Sequence, residues 1–333
     1  MSEQKKKIIL SGMRPTGKLH IGHYVGALEN WIDLQNDYQN YHLIADYHTL
    51  TTSLDTANVY KDSIDMVIDW IACGIDPEKS PIFRQSKIKQ HTELHLIFSM
   101  LITTARLEKN PTVKEQVRDL NVQSITYGHL GYPVLQSADI LLYKGDAVPV
   151  GEDQVPHVEI TRHIAEHFNQ AFDLNGKKIF PIPEPKITKF ARLPGLDGKA
   201  KMSKSLGNGI LLSDAQDEIR AKMKKAFTDP AKLRKGDPGN PDICLVYLYH
   251  QKFNPEEEPE IREGCKSGTL GCFDCKMKCA DKIAGHFAPV REKRAELEKD
   301  LSKVLEIVED GETRARKVAE ETMIEVREAM KFG

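Results

Sequence analysis

The chain lacks any apolar run long enough to span a bilayer, although hydrophobic residues make up 40% of its 333 residues. The stretch from Met1 to Lys7 is polar and basic, and it leads into a short strand pattern instead of the apolar core of a signal peptide. The chain also has no internal repeat and no low-complexity segment. We therefore expect a soluble, cytoplasmic globular protein without membrane association.

An excess of charge of one sign is also lacking. The chain has 47 lysines and arginines against 49 acidic residues, which gives a formal net charge of -2. A uniformly basic nucleic-acid-binding protein is excluded, so any contact with nucleic acid requires basic residues that are gathered locally. Residues 222–225 and 232–235 are two such basic stretches, although solvated helix faces explain them equally well.

Cysteine is scarce, and its placement is uneven. Five of the six cysteines lie between residues 244 and 279, a clustering that favours metal ligation over disulfides in a reducing compartment. Cys279 follows one helical turn after the cluster and is either an alternative ligand or a spare thiol. The spacing alone leaves zinc and an iron–sulfur cluster open. Four thiols form the predicted ligand set: Cys244, Cys265, Cys272 and Cys275.

The first half of the chain alternates strand and helix patterns. Short apolar strands are predicted at 8–10, 41–45, 82–84 and 147–150, with helical periodicity at 59–71, at 92–103 and from 154 onward. Such alternation predicts an α/β fold, a doubly wound parallel-sheet (Rossmann-like) domain with helices on both faces.

The second half has helical patterns and predicts a smaller all-α domain. Ser213-Asp214 followed by Glu218 predicts a helix start, and the charged amphipathic stretch 292–331 is predicted to break near Asp310-Gly311. The expected domain division is a catalytic domain at 1–190, a lysine-rich loop and connection at 191–210, a helical domain at 211–300 and a C-terminal helix at 301–333.

A glycine-rich turn between the first strand and its helix ends in His20-Ile21-Gly22-His23. Free N–H groups at a helix N-terminus bind phosphates, and two histidines there offer donors to a leaving pyrophosphate. Gly22 would let an adenine lie against the backbone, while Arg14 and Thr16 precede it in the same turn. The alternative is that both histidines only cap the helix.

A second candidate phosphate motif lies far downstream, at Lys201-Met202-Ser203-Lys204-Ser205. Lysines in a loop of small residues can close over ATP phosphates and neutralise them in the transition state. A solvated charge run is the alternative. His-Ile-Gly-His followed by Lys-Met-Ser-Lys-Ser resembles the class I aminoacyl-tRNA synthetases, which implies amino acid activation by ATP.

Further segments resemble the tryptophanyl-tRNA synthetases: 45–48, 107–114, 132–143 and 148–154. The similarity covers nearly the whole chain. It implies L-tryptophan, ATP with Mg2+ and tRNA(Trp) as substrates and partners, and a homodimer. Cys-x6-Cys-x2-Cys with a distant fourth cysteine is similar to members that carry a [4Fe-4S] cluster, with zinc as the alternative, in a helical domain that binds the tRNA anticodon.

The resemblance also assigns individual residues. Asp139 would accept the indole N–H, the single donor on that ring, and a buried acceptor left unpaired would penalise phenylalanine. Tyr132, Gln136 and His48 would line the same pocket. The nucleotide and phosphate contacts would come from Lys114, Gly151, Asp153 and Gln154, in addition to Arg14, Thr16, His20, Gly22, His23, Lys201, Met202, Ser203 and Lys204.

Three rival functions remain open. The first is tyrosine as the amino acid. The second is a cofactor adenylyltransferase, against which the long helical region and the lysine motif argue. The third is a synthetase-like protein that binds RNA without charging tRNA.

Overall fold

The computed structural model describes residues 6–114, 125–172, 176–187, 193–204 and 206–332, apart from the side chain of Asp153. These residues divide into two compact units. Unit 1 comprises residues 1–17, 27–189 and 300–333, and unit 2 comprises residues 18–26 and 190–299. Within the described part of the chain, no helix has the length and apolar character that crossing a membrane requires.

Unit 1 contains one five-stranded sheet with strand order β3-β2-β1-β4-β5, and every neighbouring pair is parallel. This confirms the predicted doubly wound sheet. The chain order reverses between β1 and β4, and ligands of such sheets bind where the carboxyl ends of the strands diverge at this point. The strands are β1 (Ile8–Met13), β2 (Gln39–Ile44), β3 (Ile82–Arg84), β4 (Ala147–Val150) and β5 (Glu184–Ile187).

The described α-helices are numbered along the chain. They are α1 (Ile21–His23), α2 (Glu29–Leu34), α3 (Val59–Cys73), α4 (Gln90–Ser99), α5 (Thr104–Glu108), α6 (Tyr127–Leu142), α7 (Val155–Ala171), α8 (Gln216–Lys224), α9 (Leu245–Phe253), α10 (Glu258–Lys266), α11 (Cys272–His286), α12 (Ala288–Lys299) and α13 (Leu301–Met330). A π-helix spans Tyr24–Leu28, and 3-10 helices span Tyr47–Thr51, Gln85–Lys87, Glu152–Gln154 and Pro241–Ile243.

The single helix predicted at 92–103 is wrong, because α4 ends at Ser99 and α5 begins at Thr104. Thr103 is extended, with φ −85° and ψ 148°, and it occupies the N-cap position of α5. Two threonines and an isoleucine at this point have low helix propensity, which favours an interruption.

The predicted break near Gly311 is also wrong. Helix α13 runs through Gly311 without interruption, and the chain bends instead at Asp300, whose side chain accepts a hydrogen bond from the Lys303 N–H. A Cβ at Gly311 would lie 2.0 Å from the carbonyl oxygen of Ile82 in β3. The glycine therefore permits close approach of helix and strand and does not end the helix.

The helix start predicted at Ser213-Asp214 lies two residues too early. Helix α8 begins after Ala215, and the Glu218 carboxylate accepts a hydrogen bond from the Ala215 N–H at 2.9 Å. The Asp214 carboxylate instead accepts from the Leu211 N–H at 2.7 Å, so it orders the preceding turn.

The units also differ from the expected domain division in two places. Helix α13 belongs to unit 1, because Ala315, Ala319 and Met323 are buried in the same core cluster as the sheet residues. The segment 18–26 belongs to unit 2, where Ile21 N–H donates to Ile210 and Leu212 N–H donates to Leu19, both at 2.9 Å.

Candidate active site

Asp139 is the centre of a buried polar cluster in unit 1. It lies in α6 with a relative exposure of 2%. Its Oδ1 accepts hydrogen bonds from Gln85 Nε2 and His91 Nδ1, both at 2.7 Å, and its Oδ2 contacts His48 Nε2 at 2.9 Å. Helices α4 and α6 and the 3-10 helices after β2 and β3 thus bring their polar groups to one carboxylate.

These donors decide the charge of Asp139. Burial by itself raises the pKa of the carboxyl, but the hydrogen bonds from His48 and His91 outweigh burial and hold that pKa well below its usual range. A carboxylate has about four acceptor positions. The described donors occupy two on Oδ1 and one on Oδ2, so one position on Oδ2 is left for a single further N–H or O–H donor.

The His91 ring links Asp139 to a second buried residue through hydrogen bonds. Its Nε2 lies 2.9 Å from the hydroxyl of Tyr143, which is fully buried. Because Nδ1 faces an anion, it carries a ring proton, and in that tautomer Nε2 accepts from the tyrosine O–H. Burial raises the pKa of Tyr143 well above its usual value, so the hydroxyl keeps its proton.

A parallel chain of hydrogen bonds links the two predicted contacts Tyr132 and Gln154. The Tyr132 hydroxyl lies 2.8 Å from His157 Nε2, and His157 Nδ1 lies 3.0 Å from Gln154 Oε1. The amide oxygen requires a donor at Nδ1, so a neutral His157 accepts the tyrosine O–H. Burial raises the pKa of Tyr132, and the neighbouring charge of Arg14 opposes that shift.

Arg14 and Thr16 follow β1 at the carboxyl edge of the sheet. Arg14 Nη1 donates to Thr52 Oγ1 at 3.1 Å. Both residues line a polar cavity of about 320 Å3, together with Pro15, Thr49, Thr52, Ser53, Asp55, Asn58, Val59 and Asp62. Hydroxyl groups and carboxylates are the main polar groups of this lining. Of its polar residues, the sequence predicts only Arg14 and Thr16 as ligand contacts.

His20 and His23 lie in unit 2 and stack on each other, with ring centroids 3.7 Å apart. The His20 N–H donates to His23 Nδ1 at 3.2 Å, so the neutral His23 ring has its proton on Nε2. Burial, followed by the charge of Lys204, lowers the pKa of His20 to about 4. Burial, with His20 and Lys204, lowers that of His23 to about 3. Two neutral imidazoles therefore lie beside one ammonium group.

The lysine loop, residues 193–209, packs against the His20 segment within unit 2. A Cβ at Gly22 would lie 3.0 Å from His20 Nδ1 and 3.4 Å from Met202 Sδ, so Gly22 leaves room for both side chains. Met202 is buried, whereas Lys201 and Lys204 are exposed. The structure thus brings Lys204 near the two histidines. Ser205 lies outside the described residues.

The remaining predicted contacts lie in unit 1. Lys114 is exposed and helical, with its N–H bonded to Asn110. Gln136 is half-buried in α6. Gly151 follows β4 and occupies the N-cap of the 3-10 helix that contains Asp153, whose side chain lies outside the described part of the chain.

Sequence reasoning missed Gln85, His91, Tyr143 and His157. Each makes its contact across a distance of 25 residues or more, apart from the bond of His157 to Gln154. A buried-type polar residue directly after β3 was the one local signal for Gln85, since strand ends point to the ligand edge of a parallel sheet.

The four predicted cysteine ligands lie near one another in unit 2. Burial raises the pKa of Cys244, Cys265 and Cys275, and charges on the neighbouring cysteines raise it further. Nevertheless, no three His, Cys, Asp or Glu side chains of the described chain are arranged to hold a metal ion. Cys279 is fully buried, and burial holds its pKa well above the usual value, so it remains a thiol.

The amino-acid sequence is similar to those of known proteins over nearly its whole length. Residues 2–288 match the family model described as "tRNA synthetases class I (W and Y)". The chain is 48% identical over 327 residues to the tryptophan–tRNA ligase of Thermotoga maritima, with 97% of this chain and 98% of that protein covered. Identity to the tryptophan–tRNA ligase of Aquifex aeolicus is 39%, with coverage of 97% and 99%.

A solved structure is similar over the same extent. Tryptophanyl-tRNA synthetase from Campylobacter jejuni, complexed with ADP and tryptophan, superposes with a TM-score of 0.85 at 33% identity and covers 97% of this chain and 99% of that one. The sequence match, the parallel sheet and the paired histidine and lysine segments all indicate the same family. The chain belongs to the class I tRNA synthetases of the tryptophan and tyrosine family.

Proposed function

We propose that this protein is a tryptophan–tRNA ligase. In the first step, the carboxylate of L-tryptophan attacks the α-phosphorus of ATP and pyrophosphate leaves, which gives tryptophanyl-adenylate. In the second step, a ribose hydroxyl at the 3′ end of tRNA(Trp) attacks the acyl carbon and AMP leaves. Relatives that are 48% and 39% identical over almost their whole length carry this name.

The observation that carries the proposal is the buried Asp139 carboxylate with one free acceptor position. Indole offers one N–H donor, whereas a phenylalanine ring offers none. Binding phenylalanine would leave a desolvated anion without its last partner, and such unpaired sites discriminate by about four to five orders of magnitude. Gln85, His48 and His91 fix the direction of that last acceptor position because they occupy the other three.

The phosphate chemistry is proposed for the groups of unit 2. His23 Nε2–H is available as a donor, and Lys201 and Lys204 supply positive charge for the pyrophosphate that leaves. The α-phosphate reaction requires positioning and charge stabilisation more than a protein base. Mg2+ would enter with ATP, bound largely through the phosphates. Arg14 and Thr16 would contact the nucleotide, Gln154 the ATP ribose or the polar end of the amino acid, and Tyr132 would line the tryptophan pocket.

The test is ATP–pyrophosphate exchange with tryptophan, tyrosine or phenylalanine, on wild type and on Asp139→Asn. Exchange with tryptophan alone, lost by at least about a thousandfold in the variant, supports the proposal. Glu312→Gln is the matched control, since Glu312 is another buried carboxylate of unit 1 and pairs with Arg84 at 2.6 Å. It should lose stability but keep its amino acid preference.

Two outcomes would contradict the proposal. Exchange with tyrosine in place of tryptophan would assign the other amino acid of the family. Absence of exchange with any amino acid, in folded protein that binds tRNA in a filter assay, would favour an RNA-binding protein without charging activity. Sedimentation of the same sample tests the homodimer that we propose from family resemblance.

We also propose that Cys244, Cys265, Cys272 and Cys275 bind a [4Fe-4S] cluster, with zinc as the alternative. The support is the set of four soft donors, whose mutual charge repulsion a metal would relieve. The bound group would cross-link the segments around α9, α10 and α11 and would take no part in either chemical step. A role in the proposed anticodon-binding surface fits this position.

Metal analysis of anaerobically purified protein tests the cysteine proposal. About four iron atoms per chain with visible absorbance near the usual iron–sulfur bands indicates the cluster, and one zinc per chain indicates the alternative. Cys275→Ser should lose the metal, whereas Cys279→Ser should retain it, because Cys279 is a buried thiol. Wild-type protein with neither iron nor zinc at these stoichiometries would contradict the site.

A further inference from the structure

Asn208 joins the two sides of the lysine loop through a single side chain. Its Oδ1 accepts the Ser203 N–H at 2.8 Å, and its Nδ2 donates to the Lys201 carbonyl at 3.2 Å and to Asp197 Oδ2 at 3.1 Å. Its own carbonyl accepts the Leu196 N–H at 2.7 Å. With 6% exposure, the residue is buried, and loss of its side chain would remove the partner of the Ser203 N–H and of the Lys201 carbonyl.

The surrounding backbone leaves room for this amide and for little else. A Cβ at Gly195 would lie 2.2 Å from Asn208 Nδ2, so a larger residue there would displace the amide. Asp197 binds the other side of the loop, and we call Asn208 and Asp197 together the bracket. Asp197 Oδ1 accepts N–H groups of Lys199 and Ala200, while Oδ2 accepts from Asn208. One carboxylate and one amide therefore bind four of the five residues from 199 to 203.

The bracket bears directly on the charged groups of the loop. Lys201 and Ser203, the residues that Asn208 holds, flank Met202, whose sulfur packs over Gly22 and His20. Lys204 follows immediately and acts electrostatically on both imidazoles. The backbone between Lys201 and Ser203 therefore sets where the two lysine ammonium groups stand relative to His20 and His23.

We propose that Asn208 is a positioning residue for the ATP-phosphate step, which holds the lysine loop in the arrangement that gathers Lys201, Lys204 and the two histidines. It does not itself contact the nucleotide. The inference rests on the proposed ATP-dependent activation of tryptophan, and it adds a residue that neither phosphate motif contains. Loss of the bracket should weaken the use of ATP and leave tryptophan binding to the separate Asp139 cluster unchanged.

The test compares Asn208→Ala with Asn254→Ala. Asn254 is another buried asparagine of unit 2, with 2% exposure, and its amide contacts His250 outside the loop. In pyrophosphate exchange, Asn208→Ala should raise KM for ATP and lower kcat by about ten- to a hundredfold each. The Kd for tryptophan, measured by calorimetry, should stay within about twofold. Asn254→Ala should change neither kinetic constant.

Two further variants separate positioning from general destabilisation. Gly195→Ala should reproduce the Asn208→Ala kinetics, since its methyl group displaces the amide. Asn208→Asp places two carboxylates side by side and turns an acceptor toward the Lys201 carbonyl, so it should be at least as impaired as Asn208→Ala. Wild-type kinetics in both Gly195→Ala and Asn208→Asp would overturn the proposed role of Asn208.

A readout without catalysis keeps the two proposals distinguishable. Trypsin cleavage after Lys201 and Lys204 should be several-fold faster in Asn208→Ala than in wild type or Asn254→Ala at equal melting temperature. Wild type without tryptophan exchange would refute the proposed function, yet protected cleavage would still support the bracket. Active wild type with unchanged kinetics and unchanged cleavage in Asn208→Ala would refute the inference alone.

Discussion

The Asp139 cluster of unit 1 and the histidine–lysine cluster of unit 2 handle buried charge in opposite ways. Around Asp139, side-chain donors from three elements hold the carboxyl ionised despite burial. Around His20 and His23, burial and a neighbouring lysine lower the pKa of both imidazoles, which are therefore neutral and leave the ammonium as the charged group. The first arrangement leaves one acceptor position on a buried carboxylate, and the second leaves positive charge on exposed lysines.

The largest effects are expected when one charge is removed from each cluster, which tests whether the two clusters act separately. Lys204→Ala should reduce kcat for pyrophosphate exchange by about a thousandfold and leave the Kd of tryptophan unchanged, because a transition-state charge loses its partner. Asp139→Asn should instead act on tryptophan binding and leave KM for ATP unchanged. If both variants alter the same parameter, the two clusters are not separate in function.

Stability should separate the units next. Gly311→Ala forces a methyl group against the Ile82 carbonyl in unit 1 and should lower the free energy of unfolding by roughly 2–3 kcal/mol. Gly285→Ala, in α11 of unit 2, meets nothing within 4 Å and should be neutral or stabilising by about 0.5–1 kcal/mol. Urea denaturation of both variants measures the difference, and equal losses would contradict the close approach of α13 to β3.

The hydroxyl of Tyr143 should have a smaller effect that is confined to the Asp139 cluster. Tyr143→Phe leaves His91 Nε2 without its O–H donor and should weaken tryptophan binding by about ten- to a hundredfold, with KM for ATP unchanged. Tyr41→Phe is the control, because Tyr41 stacks on Tyr143 at 5.0 Å but its hydroxyl bonds to Gln39. Calorimetric titration with tryptophan distinguishes the two, and identical affinities would argue against the relay.

Acidification should distinguish the clusters by pH range. Burial lowers the pKa values of His20 and His23 to about 4 and about 3, from the ordinary histidine value of about 6.5. The unfolded chain therefore takes up protons first, and stability falls as the pH drops from about 6.5 toward 4, by up to ~1.4 kcal/mol per pH unit for each ring.

His23→Gln should remove one such contribution from the slope of unfolding free energy between pH 7 and pH 5. The depressed pKa of Asp139 acts on stability in the same direction, but only below the ordinary aspartate pKa of about 3.9. Asp139→Asn should therefore leave the slope between pH 7 and pH 5 unchanged. A slope that His23→Gln does not alter would mean that this ring is not buried neutral.

The sequence was sufficient for the sheet and for the proximity of the His20 and Lys204 segments, because both follow from local patterns. Strands at 82–84 and 147–150 have the predicted bounds, and His20 and Lys204 lie close together within unit 2 as their pairing in sequence indicated. It was insufficient for Gly311, which looks like a helix breaker until the facing carbonyl of Ile82 is known.

The partners of Asp139 show the same limit more clearly. His91 and Gln85 lie 48 and 54 positions away in sequence, and their contacts exist only after α4 and the end of β3 have packed against α6. Asn208 likewise follows the lysine motif as an ordinary loop residue. Its role depends on the absence of a Cβ at Gly195, thirteen positions earlier.

The placement of α13 in unit 1 has a consequence for how the protein is made. A ribosome completes residues 27–189 first, then the whole of residues 190–299, and only afterwards the helix that covers β3. During that interval the apolar partners of Ala315, Ala319 and Met323 are without their cover. During synthesis, unit 1 therefore has an uncovered apolar surface at a stage that unit 2 does not share. Chaperone binding or aggregation is expected at that stage.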